Sequence, residues 1–165
     1  MENTLDILGK RVGEVLSDKK FVLSTAESCT GGGISEVITR IPGSSDWFDR
    51  GYVTYSNQAK ISLLGVKRVT LENHGAVSHQ VVQEMVENTL QNSASSIVTA
   101  VSGIAGPTGG GPEKPVGTVF IGWGASEGQR KGEVEVLKYC FSGNRMLVRE
   151  KTIIRSLEGV IEWCS

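Results

Sequence analysis

Phe21-Val22-Leu23-Ser24-Thr25-Ala26 leads through Glu27-Ser28-Cys29-Thr30 into Gly31-Gly32-Gly33 and on to Ile34 through Arg40. The first six residues are short, apolar and β-prone, and the stretch from Ile34 is helix-like. Together they predict a strand, a glycine-rich turn and a helix start. Upstream, Leu5, Leu8, Val12, Val15 and Leu16 recur at three- and four-residue steps, which predicts an amphipathic helix over residues 3–18. Downstream, Pro42-Gly43-Ser44-Ser45 breaks the chain before Gly51-Tyr52-Val53-Thr54-Tyr55, whose aromatic and β-branched content predicts a second strand. Asn57 is expected to cap a short helix ending at Leu64, and Ser78 a longer one carrying Val81, Val82, Met85, Val86 and Leu90.

Ile97 to Val101 is too short and too continuously apolar for a surface element, so it reads as a buried strand. It empties into Ser102-Gly103-Ile104-Ala105-Gly106-Pro107-Thr108-Gly109-Gly110-Gly111. Residues Val116 to Trp123 and Val134 to Phe141 predict two more strands around a hairpin turn at residues 124–128. Asn144 to Trp163, with Leu147, Ile154, Leu157 and Ile161 on one stripe, predicts the longest helix. Strands interleaved with helices in this order predict a single α/β domain over residues 1–165, a three-layer α/β/α sandwich around a mixed sheet. In such sheets ligands gather where strands end, and both glycine-rich segments lie at strand ends.

Composition narrows the function classes. Seventeen Lys and Arg against 18 Asp and Glu give a formal charge of −1, with no block of like charge, which disfavours a general nucleic-acid footprint. No stretch approaches the ~18 apolar residues that span a bilayer, and the N-terminus is a charged amphipathic pattern, so a cytoplasmic protein is expected. Cys29, Cys140 and Cys164 are odd in number and widely spaced, which suits neither a disulfide framework nor a zinc site. Glycine supplies 21 of 165 residues, about 13% against a usual ~7%, so many glycines belong to particular loops.

The turn at residues 28–33 offers two hydroxyls, a thiol and free N–H groups at a helix start. That suits an anion site or oxyanion hole, and equally a plain cap with close packing. The loop at residues 102–111 reads as a ligand cradle or as a mobile connection. His74 and His79 suit neither a helical metal pair nor a triad. Lysine is then the candidate base, and Lys60 follows Tyr55-Ser56-Asn57 at the start of a short helix, where it is either half-buried and basic or simply solvated. Arg145, at the start of the last helix, opposes the helix dipole. It pairs there with an anionic ligand or with a carboxylate of its own helix.

Taken together, Ala26-Glu27-Ser28-Cys29-Thr30-Gly31-Gly32, Pro42-Gly43-Ser44-Ser45, Tyr55-Ser56-Asn57-Gln58-Ala59-Lys60, Gly75-Ala76-Val77-Ser78, Ser102-Gly103-Ile104-Ala105-Gly106-Pro107, Lys114-Pro115-Val116-Gly117-Thr118-Val119 and Gly143-Asn144-Arg145 resemble the CinA C-terminal domain family, the nicotinamide-nucleotide amidohydrolases. The resemblance spans almost the whole chain, in order, and is to the stand-alone form. It implies hydrolysis of the carboxamide of nicotinamide mononucleotide (NMN) to nicotinic acid mononucleotide and ammonia in pyridine nucleotide salvage, with no metal or organic cofactor, by a homodimer. Residue by residue, it implies Ser28 as nucleophile, Lys60 as general base and Tyr55 beside them in the catalytic group. Thr30, Gly31, Gly32, Ser102, Gly103, Gly106 and Arg145 are implied in substrate binding. Ser102 stands where the family usually has Thr, and Thr108 where Asp or Gly is common. A non-catalytic nucleotide-binding module, or a regulatory one tied to competence and DNA damage, is the alternative class.

Overall fold

The computed structural model describes residues 1–165. Its centre is a five-stranded sheet of β1 (Leu23–Glu27), β2 (Phe48–Val53), β3 (Ile97–Gly103), β4 (Thr118–Ala125) and β5 (Val134–Cys140), in the order β2-β1-β3-β4-β5. β1 is parallel to β2 and β3, with Glu27 beside Val53 on one side and Val101 on the other. β4 is antiparallel to β3 and β5, with Ser102 beside Phe120. The sheet is therefore mixed, as the element order predicts. Six helices accompany it: α1 (Thr4–Lys19), α2 (Gly33–Thr39), α3 (Asn57–Leu64), α4 (Arg68–His74), α5 (His79–Gln91) and α6 (Arg145–Trp163).

Strand alternation splits the core in two. Ile97, Val101, Val119, Ile121 and Trp123 face α1, α2 and α6, meeting Leu16, Ile34, Ile38 and Leu157. Val98, Ala100 and Phe120 face the other way, onto Leu64 of α3, Leu71 of α4, and Val82, Met85 and Val86 of α5. Each fully buried aliphatic side chain of this kind contributes roughly 1.5–3 kcal/mol. The three layers thus follow from period-two burial on the strands meeting helical stripes.

Several boundaries differ from the sequence reading. β2 begins at Phe48 and stops at Val53, because the carbonyls of Thr54 and Tyr55 turn toward Lys60 instead of continuing the ladder. β4 runs on to Ala125, which moves the expected turn at residues 124–128 to residues 126–133. Ser56, not Asn57, caps α3, its hydroxyl accepting from Ala59 N–H at 3.0 Å. Ser78 caps α5 as expected, accepting from Val81 N–H at 3.2 Å. α4 is an element the sequence reading omits. It is one short helix with only Leu71 buried and no side-chain cap, so it carries no periodic signal.

The buried stripe of α6 also differs. Leu147 is 40% exposed, and the face toward the sheet is Val148, Thr152, Ile153, Ser156, Leu157, Gly159, Val160 and Trp163. Thr152 and Ser156 belong there because each hydroxyl donates to the carbonyl four residues back, at 2.7 Å, so neither reaches the core unsatisfied. Gly159 lets the helix approach, since a Cβ there would lie 2.2 Å from the Trp123 ring.

From β1 the chain crosses to β2 on one side and later returns to β3 on the other. The carboxyl ends of β1 and β3 therefore flank the place where the strand order reverses, where open α/β sheets leave a crevice.

Candidate active site

Ser28 follows β1 directly, and its N–H donates to Val101 O at 3.1 Å, which ties it to the end of β3. Gly31 N–H then donates to Ser28 O at 3.0 Å and Gly33 N–H to Thr30 O at 2.9 Å, closing a tight turn. Gly31 and Gly32 have φ of +58° and +95°, left-handed values that explain glycine at both positions. Under the turn lies Glu27, fully buried. Its carboxylate accepts from Thr30 Oγ1 (2.6 Å), Ile34 N–H (2.8 Å), Ser35 N–H (3.0 Å) and Ser35 Oγ (2.8 Å). An internal carboxylate thus caps α2 and meets the positive end of its dipole. The Gly31, Gly33, Ile34 and Ser35 amides at this helix start are occupied, while the Gly32 N–H is not. The Cys29 and Thr30 N–H groups likewise donate to no protein acceptor.

Lys60 comes from the first turn of α3 and is 1% exposed. Its Nζ lies 2.9 Å from Ser28 Oγ, 3.0 Å from Thr54 O and 3.2 Å from Tyr55 O. No carboxylate forms a salt bridge with it, and burial pulls its pKa down to about 8. A neutral amine has two N–H bonds and one lone pair. With both N–H groups on the two carbonyls, the lone pair is left for the Ser28 hydroxyl, which is the arrangement a general base requires. Cys29 is buried beside them, and its thiol is pushed up to about 11, chiefly by burial, so it is not a thiolate near neutral pH.

These groups open onto a cavity of about 260 Å³ whose walls include Ser28, Cys29, Lys60, Ala76, Val77, Ser102, Gly103 and Gly106, with Tyr55 and Arg145 also in its lining. The lining holds two cationic side chains, Lys60 and Arg145, and no carboxylate. Ser102 Oγ is buried in this wall without a hydrogen-bond partner, a state that a polar ligand group would relieve. Arg145 donates to Gly106 O at 2.8 Å and to the Tyr55 hydroxyl at 3.0 Å and forms no salt bridge with a carboxylate of its helix. No cluster of three or more His, Cys, Asp or Glu side chains could hold a metal ion.

Of the residues singled out in the sequence, Ser28, Tyr55, Lys60, Ser102, Gly103, Gly106 and Arg145 converge on this cavity. Thr30, Gly31 and Gly32 do not line it. Thr30 is turned inward onto Glu27, and the two glycines shape the bend. Tyr55 divides its parts: its carbonyl faces Lys60, while its ring, in a residue 59% exposed, carries the hydroxyl out to Arg145. Ser28 is itself buried. Both histidines are exposed, at the end of α4 and the start of α5. Sequence reasoning missed Glu27 and Arg149 as structural partners of the turn. Arg149 Nε donates to Cys29 O at 3.1 Å and Nη2 to Thr30 O at 3.0 Å. Its spacing four residues after Arg145, on one helix face, was the available signal.

The family model of the CinA C-terminal domain matches residues 5–164. The chain belongs to the CinA C-terminal domain family. Its relatives are of two lengths. The nicotinamide-nucleotide amidohydrolase PncC of Pseudomonas putida is 49% identical over 155 residues, 94% of each chain. The Escherichia coli K12 protein of that name is 46% identical over 151 residues, 92% of this chain and 89% of the relative. A CinA-like protein of Endomicrobium trichonymphae is 47% identical across 93% of this chain, which corresponds to 35% of that longer protein. Among solved structures, the competence/damage inducible protein CihA from Agrobacterium tumefaciens matches with a TM-score of 0.92 at 39% identity, covering 98% of this CinA domain and 96% of that chain. A CinA superfamily protein from Klebsiella pneumoniae matches with a TM-score of 0.91 at 33% identity and 98% coverage of both.

Proposed function

We propose that this protein is an amidohydrolase that converts NMN to nicotinic acid mononucleotide and ammonia through an acyl-enzyme on Ser28. The observation that carries the mechanism is the buried Lys60 amine, held by two carbonyls with its remaining valence on Ser28 Oγ. The names of the Pseudomonas putida and Escherichia coli relatives support the substrate. As Ser28 Oγ attacks the amide carbon, its proton passes to Lys60, and the oxyanion forms beside the free Cys29 N–H, the amide next to the nucleophile. Collapse breaks the C–N bond while Lys60 returns the proton to the departing nitrogen, which leaves as ammonia. Water, deprotonated by Lys60, then attacks the ester, releasing the carboxylic acid and restoring Ser28.

Arg145 is assigned to the phosphate, since its guanidinium is the exposed cation of a cavity without carboxylates. Ser102 Oγ is assigned to a polar group of the bound nucleotide, and the Tyr55 ring to orienting Arg145 at the mouth, with no proton transfer. From the family resemblance the proposal extends to a place in pyridine nucleotide salvage, in the cytoplasm and as a homodimer.

Incubating the purified protein with NMN tests the proposal. Ammonia and nicotinic acid mononucleotide should appear in equal amounts, and no release from NMN contradicts it. In the same assay Arg145→Ala should raise KM for NMN by roughly 10–100-fold and change turnover of the phosphate-free riboside little. Equal proportional losses on both substrates would remove Arg145 from the phosphate.

A further inference from the structure

Arg149 is a half-buried cation with no carboxylate in salt-bridge contact, held against two carbonyls of the turn that bears Ser28. Its position is unfavourable locally. It lies in the second turn of α6, four residues after Arg145, where like charges repel and the helix dipole opposes both. What it gains is the turn. A trans peptide points its C=O and N–H in opposite directions, so whatever fixes the carbonyl aims the amide. Nε on Cys29 O directs the Thr30 N–H away from Arg149. Nη2 on Thr30 O sets the next peptide, whose Gly31 N–H donates to Ser28 O. That contact in turn fixes the peptide carrying the Cys29 N–H.

We propose that Arg149 is a positioning residue of the acyl-transfer site, which holds the Cys29–Thr30 and Thr30–Gly31 peptides and, through the Gly31 N–H on Ser28 O, keeps the Cys29 N–H aimed as the oxyanion donor beside Ser28. The inference rests on the acyl-transfer reading above and adds a residue that touches neither nucleophile nor base. Its charge, spent on neutral carbonyls and not on a carboxylate salt bridge, also opposes the field of the Glu27 carboxylate beneath the same turn.

Two readouts separate this inference from the choice of substrate. The first is steady-state turnover of NMN. The second is the rate at which diisopropyl fluorophosphate labels Ser28, a reaction in which Oγ displaces fluoride at phosphorus, gives its proton to Lys60 and uses the same Cys29 amide for the phosphoryl oxygen. Arg149→Met should lower kcat on NMN by about 10–100-fold with KM within about twofold, because the oxyanion donor acts on the transition state. Labelling should slow by a similar factor, and the pH midpoint set by Lys60 should not move. Arg149→Lys, which can reach one carbonyl, should fall between, and it decides the matter if the Met variant fails to fold. Unchanged kcat and unchanged labelling in either folded variant overturn the proposal. So does a rise in KM alone, which would make Arg149 a substrate contact. If the wild type labels at Ser28 yet leaves NMN intact, the NMN reading fails, while the labelling ratio still decides the role of Arg149.

Discussion

Lys60 owes its chemistry to where its ammonium would have to sit. Burial lowers its pKa from 10.5 to about 8, and two carbonyls keep the lone pair aimed at Ser28. Because the base form is the active one, kcat/KM on NMN should rise with pH to a plateau, with a midpoint near 8. Lys60→Met and Lys60→Arg should both lose at least ~10³-fold, since a guanidinium keeps charge but does not deprotonate. An Arg variant with near wild-type turnover would leave Lys60 a fixed cation. The same shift has a stability sign. Between about 8 and 10.5 the folded chain binds fewer protons at Lys60 than the unfolded chain. The cost of burying the ammonium is thus fully present below that window and relieved as pH rises through it, so stability should climb there. Denaturant unfolding across the window should show that slope and should lose it in Lys60→Met.

The strand-turn-helix unit from β1 to α2 depends on Glu27. Four donors converge on its carboxylate, and each of its two oxygens takes one backbone N–H, of Ile34 or of Ser35, which cannot accept from a glutamine NH2. Glu27→Gln should therefore cost about 2–4 kcal/mol and lower kcat as the turn relaxes. Thermal melting checks the first effect, and an unchanged midpoint would mean that the cap is dispensable. This unit also shows what the sequence could and could not reveal. The strand, the glycine bend and the helix start are legible because propensity and turn chemistry are local. The helix-start donors were visible too, but not that Glu27 would fill them from within, since a strand-end carboxylate looks the same whether it points inward or out. α6 was legible as a helix but not in its face. Hydroxyls bonded to their own helix, together with Gly159, make a core stripe that apolar periodicity does not detect.

At the scale of the molecule, the strand order brings the ends of β2, β1 and β3 together, so Lys60, Ser28 and Ser102 meet although 32 residues separate the first two. The layered class followed from the order of elements. Strand neighbours and the meeting of these side chains required tertiary pairing that no single segment encodes. The same packing sorts the cysteines: Cys29 and Cys164 are buried and Cys140 is exposed. Iodoacetamide on the native protein should modify Cys140 alone and leave turnover intact, with the other two reacting only on unfolding. Inactivation mapped to Cys140 would contradict the placement of the site. Cys29, adjacent to Ser28 in the turn, remains the rival nucleophile, disfavoured by a thiol pushed up to about 11. Ammonia release from NMN by folded Ser28→Ala and Cys29→Ala therefore tests the central claim most directly. Ser28→Ala should still bind the nucleotide but lose turnover, while Cys29→Ala should keep it. An active Ser28→Ala and a dead Cys29→Ala would contradict the claim.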